Sequence, residues 1–113
     1  MTVSDGLQEA KNYKYRLKFI PEALAEWQSL DGSVKEPLRK LLKKRLDNPH
    51  VPGGALHGDL KGCYKIKLRQ AGVRLVYAVE DGCLVVTVIA VDKRENNAAY
   101  QSALFRLIAL MNP

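Results

Sequence analysis

Soft metal ligands are scarce in this chain, which has two cysteines, Cys63 and Cys83, and two histidines, His50 and His57. No CxxC or HxxxH spacing joins them and the acids are scattered, so neither a metal centre nor a disulfide framework is indicated. Both cysteines begin apolar, strand-like runs and read as reduced, partly buried thiols. The chain has no Ser-His-Asp set and no glycine-rich phosphate loop, and its two histidines form no obvious acid–base pair. No apolar stretch approaches the length needed to cross a bilayer. Met1 to Gly6 offers neither a basic n-region nor an apolar h-region, so the sequence argues for a cytoplasmic protein. Internal repeats and low-complexity segments are also missing.

What the chain has is positive charge in an ordered pattern. Its 113 residues suit one domain with one core, and 18 Lys and Arg against 12 Asp and Glu give a net charge of +6. That excess favours a polyanionic partner. The most informative stretch is Tyr64-Lys65-Ile66-Lys67-Leu68-Arg69, followed by Val73-Arg74-Leu75-Val76-Tyr77. In a strand, alternate side chains point to opposite faces. Tyr64, Ile66 and Leu68 then face a core, while Lys65, Lys67 and Arg69 share the other side. If Ala71-Gly72 closes a tight hairpin, Arg69 lies opposite Arg74. Like charges facing one another destabilise a sheet, so such stacking points to an anionic ligand.

The remaining elements follow from periodicity. Residues 1–12 read as a flexible N-terminal arm and 13–113 as the folded domain. Tyr13 to Phe19 alternates as a strand. Pro21 suits the first turn of a helix carrying Leu24, Trp27 and Leu30, which Asp31-Gly32 ends. Ser33-Val34-Lys35-Glu36 has the form of a capping box for a second helix. Val34, Leu38, Leu41, Leu42 and Leu46 form its apolar stripe, with Lys35, Arg39, Lys40, Lys43, Lys44 and Arg45 covering the rest. Three strands follow, Tyr64 to Arg69, Val73 to Val79 and Leu84 to Val91, the last two joined by a turn at Glu80-Asp81-Gly82. Asn96 or Asn97 caps a final helix from about Ala98 to Ala109. The order β-α-α-β-β-β-α describes a small α+β domain, with a mainly antiparallel sheet and helices packed on one face.

Taken together, Tyr64 to Arg69, Gly72 to Tyr77, Val91-Asp92-Lys93-Arg94-Glu95 and Tyr100 strongly resemble the RelE family of bacterial toxins. Ala25-Glu26-Trp27 and the basic second helix agree. The resemblance covers about Tyr15 to Leu107 and lies in the combination of motifs, each weak alone. It implies a ribosome-dependent endoribonuclease, the toxin of a type II toxin–antitoxin pair, that cuts mRNA in the ribosomal A site. The 2′-OH attacks the adjacent phosphate, leaving a 2′,3′-cyclic phosphate and a 5′-OH. The family's catalytic residues carry over onto Lys65, Lys67, Arg74, Arg94 and Tyr100.

Those residue types suit the roles implied. Fixed cations stabilise a phosphorane-like transition state, and an arginine fork clamps two phosphate oxygens. A lysine among cations loses basicity and becomes useful for proton transfer, which makes Lys67 the candidate base and Lys65 a charge stabiliser. Arg94 is assigned to the leaving 5′ oxygen, and Tyr100 to stacking, orienting the 2′-OH or sharing the base role. Arg69, Lys93, Arg39, Lys40, Lys43, Lys44 and His57 are the candidate contacts to RNA and ribosome.

The resemblance implies no metal and no cofactor. Its partners are a RelB-like antitoxin, mRNA and the bacterial ribosome through small-subunit rRNA. Operator DNA is reached only through the antitoxin complex, and no membrane is involved. The chain departs from some relatives in carrying His57 where they have arginine, in one extra residue between Gly58 and Lys65, and in its longer N-terminal arm. Two other readings remain open. One is a ParE-type toxin, which shares the fold but targets DNA gyrase and lacks this nuclease set. The other is a non-catalytic nucleic-acid-binding module.

Overall fold

The computed structural model describes residues 13–93 and 98–111. The N-terminal arm, Arg94 and the Asn96 or Asn97 cap all fall outside the described residues. The described elements are β1 (Arg16–Phe19), α1 (Pro21–Gln28), α2 (Gly32–Asp47), β2 (Cys63–Leu68), β3 (Val73–Glu80), β4 (Val85–Asp92) and α3 (Ala98–Met111). Short 3-10 turns interrupt the loops at Pro52–Gly54, Gly58–Leu60 and Arg69–Ala71.

The order of elements is the one expected from the sequence. The four strands lie in the order β1-β4-β3-β2. β1 runs parallel to β4, whereas the β4–β3 and β3–β2 pairs are antiparallel. β4 is therefore central, which accounts for its nearly unbroken apolar run.

Pro21 opens α1, where its missing N–H costs nothing. The expected break at Asp31-Gly32 and the expected capping box resolve differently. Asp31 is itself the N-cap of α2, its carbonyl accepting the N–H groups of Val34 and Lys35 at 3.0 and 2.8 Å. No side chain caps the helix, so Ser33 and Glu36 do not form the reciprocal pair. Three residues, Ser29, Leu30 and Asp31, suffice to join the helices.

The helices occupy both faces of the sheet, which corrects the expectation that all pack on one. Ala23 and Trp27 of α1 and Leu38, Leu42 and Leu46 of α2 are buried against Leu17, Phe19, Ile66, Val73, Leu75, Tyr77, Val86 and Val88. Across the sheet, Ala99 and Ala103 of α3 pack on Cys63, Val76, Ile89 and Ala90. A strand apolar on both faces must be covered twice, and a single layer of helices would leave Ile89 and Ala90 in water. A register shift between Val76 and Tyr77, which pair with Ala90 and Val88, makes Ile89 the extra residue of a β-bulge.

The first hairpin also departs from expectation. Ala71-Gly72 is not a two-residue turn. Arg69, Gln70 and Ala71 form a turn of 3-10 helix, and Gly72 closes it in the left-handed conformation at φ 66°, which glycine adopts without strain. In the second hairpin the left-handed residue is Leu84 (φ 54°). Of the two cysteines, Cys63 is buried and Cys83 exposed, and both are free thiols. Burial pushes the Cys63 thiol pKa up.

Candidate active site

The longer turn changes which cations meet. Lys67, not Arg69, lies directly opposite Arg74, and Leu68 faces Val73. Strand alternation places Lys65, Lys67 and Arg74 on the α3 side of the sheet, because Ile66, Val73 and Leu75 point into the α1–α2 core. Arg69 is exposed in the turn, yet close enough to act electrostatically on Lys67. On the other flank of Arg74 stands Asp92 of β4, its register partner and a buried acid.

The electrostatic consequence falls on Lys67. Its pKa is lowered from the ordinary lysine value by repulsion from Lys65 first, then by lost hydration, then by the charges of Arg74 and Arg69. A larger fraction of Lys67 is therefore neutral near physiological pH than for a free lysine.

Tyr100 lies in the first turn of α3 and joins the apolar cluster on the same face of the sheet as Lys65, Lys67 and Arg74. Its hydroxyl is buried and has no hydrogen-bond partner among the described residues; the same holds for Nε of Arg74. A buried donor left unsatisfied costs about 1–3 kcal/mol. Such a group calls for an explanation, and a catalytic role, a bound water or an ion each supplies one.

The other expected residues divide between the two faces. Lys93 is exposed just after β4, and its backbone carbonyl lies 3.8 Å from where a side chain on Gly72 would begin. That places Lys93 beside the β2–β3 turn. His57 is exposed, between Leu56 and Leu60, which pack beneath α3. Arg39, Lys40, Lys43 and Lys44 lie on α2, whose apolar side packs on the opposite face of the sheet from Lys65 and Lys67. Arg39 is paired with Glu36. Arg94 falls outside the described residues. The fold thus brings Lys65, Lys67, Arg74 and Tyr100 to one face and separates them from the basic helix.

Sequence reasoning missed two supports for this site. Arg45, read only as part of a charged helix surface, donates to the Lys65 carbonyl at 3.1 Å and the Tyr77 hydroxyl at 2.9 Å. It braces β2 from behind, and Gly54 leaves it room, since a Cβ there would lie 2.9 Å from the same carbonyl and 3.1 Å from the guanidinium. The other support is a polar cluster in which His50 reaches the Tyr64 hydroxyl (2.8 Å) and Asp81 (2.7 Å), while the Tyr15 hydroxyl donates to Asp81 at 2.5 Å. It ties the loop after α2 to the β3–β4 turn and the start of β1. The phase of Tyr64 and Tyr77 on their strands was the available signal, but their partners come from 14 to 32 residues away.

A mixed four-stranded sheet flanked by three helices in this order has known counterparts. Residues 17–98 match the ParE toxins of type II toxin–antitoxin systems, and the chain belongs to that family. Within it, the relatives carry the RelE name. A RelE-like toxin protein of Escherichia coli is 49% identical over 94 residues, covering 83% of this chain and 98% of its own. The mRNA interferase toxin RelE of E. coli K12 is 45% identical over the same shares. The fold also matches the crystal structure of the intact E. coli RelBE toxin–antitoxin complex, with a TM-score of 0.69 and 46% identity over 73% of this chain and 99% of that one.

Proposed function

We propose that this protein is an mRNA endoribonuclease that acts on the ribosome, cleaving the codon in the A site and so stopping translation. The observation that carries the reading is the facing pair of Lys67 and Arg74, with Lys67 made less basic by its neighbours and the Arg74 Nε without a partner among the described residues. Neutral Lys67 takes the proton of the 2′-OH, and the oxygen attacks the adjacent phosphorus. The bond to the 5′ oxygen breaks, and that oxygen takes a proton, with Arg94 assigned to this end. The products are a 2′,3′-cyclic phosphate and a 5′-OH. Arg74 and Lys65 hold the charge that builds on the non-bridging oxygens. Tyr100 stacks on or orients the nucleotide through a hydroxyl that has no partner among the described residues.

This chemistry uses no metal or cofactor. A site built of cations lacks a self-sufficient acid–base pair, so the ribosome must align the substrate, and orientation supplies several kcal/mol of barrier reduction. The partners of this reading are the ribosome, mRNA and a RelB-like antitoxin, the last of these by analogy with the solved E. coli RelBE complex. With that antitoxin the protein represses its own operon in the cytoplasm. Inhibition of gyrase, the alternative for a ParE-type toxin, gives no reason for a lysine with lowered pKa directly facing an arginine. Primer extension on a reporter mRNA after brief induction tests the proposal. Discrete cuts confined to translated codons are expected, whereas intact mRNA alongside supercoiling defects would support the gyrase reading.

A further inference from the structure

α3 carries Tyr100, yet its apolar attachment to the sheet is thin. Its fully buried side chains are Ala99 and Ala103, while Phe105, Ile108 and Leu110 are 80, 52 and 58% exposed. With Tyr100 and Leu107 only partly buried beside those two alanines, apolar packing alone holds the helix weakly. The polar contact beneath the same helix is much better made. Arg106 meets both carboxylate oxygens of Glu26 on α1, at 2.8 and 3.0 Å, and donates to the Ile89 carbonyl at 2.8 Å. Glu26 also accepts the Val91 N–H at 3.0 Å. The pair is mostly shielded, with side chains 20 and 27% exposed.

Both backbone groups belong to irregular parts of β4. Ile89 is the bulged residue, and Val91 lies beyond the end of β1, whose last pair is Phe19 with Val88. The Arg106–Glu26 fork therefore completes the hydrogen bonding of β4 at the place where the sheet's own ladder fails. Bidentate arginine–carboxylate geometry fixes direction as well as distance.

We infer that Glu26 and Arg106 are a positioning pair that seats α3 on the bulge of β4 and so sets Tyr100 over the cation face, an inference that rests on the nuclease reading of the site. Arg106 follows Tyr100 by six residues, about 9 Å along one rigid helix. Fixing one end thus fixes the other. Neither residue touches the reacting phosphate in this scheme.

The test combines amide hydrogen exchange with single-turnover cleavage at saturating ribosomes, on the purified full chain. Arg106→Ala should raise exchange across α3 by about tenfold or more while β3 and β4 keep their protection. It should slow cleavage by about tenfold or more without changing ribosome affinity. Arg106→Lys and Glu26→Gln, which keep part of the pairing and are less disruptive to folding, should fall between. In a Tyr100→Ala background, adding Arg106→Ala should cost less than about threefold, because two residues acting through one position are not additive. Full additivity, or loss of protection spread evenly through sheet and helix, would overturn the inference and leave Arg106 as general fold support. Cleavage unaffected by Tyr100→Ala alone would instead count against the nuclease role of Tyr100, and the exchange pattern would then decide the seating of α3 separately.

Discussion

Lys67 carries a lowered pKa because Lys65, Arg74 and Arg69 repel its proton. Removing Lys65 takes away the largest cause, so in Lys65→Gln the Lys67 pKa should rise towards the ordinary lysine value. At a fixed pH its neutral fraction then falls, and the ascending limb of the single-turnover pH–rate profile should move to higher pH. An unchanged limb would mean that Lys67 is not the base. The same repulsion has a stability sign. A lysine whose folded pKa is depressed binds its proton more weakly when folded, so the penalty is fully present below the folded value and is relieved as pH rises from there to the unfolded value. Lys67→Gln should therefore raise the Tm near pH 7 while abolishing cleavage, a trade common at functional sites. Arg74→Ala should lower the single-turnover rate by about 10²–10³ with ribosome affinity retained, the usual effect of losing one donor to transition-state charge.

Among the elements, β2 was the most legible, because alternation of cation and apolar residue over six positions has only one good reading in a half-buried strand. Its pairing was not. Nothing in Arg69-Gln70-Ala71-Gly72 distinguishes a tight turn from a 3-10 turn ending in a left-handed glycine, and the difference decided whether Arg69 or Lys67 faces Arg74. The side chosen by α3 was equally hidden, since an apolar β4 shows that both faces are buried but not which helix covers each. Glu26 and Arg106 are 80 residues apart and leave no local signature.

The separation of α2 from the cation face yields its own prediction. Lys40→Ala with Lys44→Ala should weaken ribosome binding and make it less dependent on salt, by about one in the log–log slope for each phosphate no longer neutralised. Cleavage at saturating ribosomes should be unaffected, and a slowed chemical step would place α2 nearer the reaction than the fold does. At the far end of the sheet, hydrogen bonds from His50 and Tyr15 hold the Asp81 pKa below its ordinary value. That contribution to stability is present above the ordinary carboxylate pKa and disappears as pH falls through the lowered one. Asp81→Asn should flatten the acid limb of Tm against pH, and an unaltered limb would show that these bonds add nothing to folding.

For the molecule as a whole, the net charge of +6 favours encounter with a polyanion, while the site occupies a small part of one face. The proposed catalytic centre draws on β2, β3 and the first turn of α3, so moving a single element would disable it. An antitoxin segment that binds as an amphipathic helix or extended strand has that opportunity at α3 and at the β2 edge. A saturated complex with the cognate antitoxin should therefore show no cleavage, and full activity in that complex would contradict the proposed arrangement.

The most direct measurement compares one mRNA, free and bound to ribosomes in frame, at matched protein concentration, with the ends of the fragments identified. Cleavage should be faster by orders of magnitude on the ribosome, with 2′,3′-cyclic phosphate and 5′-OH ends and loss of the effect in Arg74→Ala. Efficient cutting of free RNA, or near-wild-type cutting by Arg74→Ala at saturating ribosomes, would contradict it.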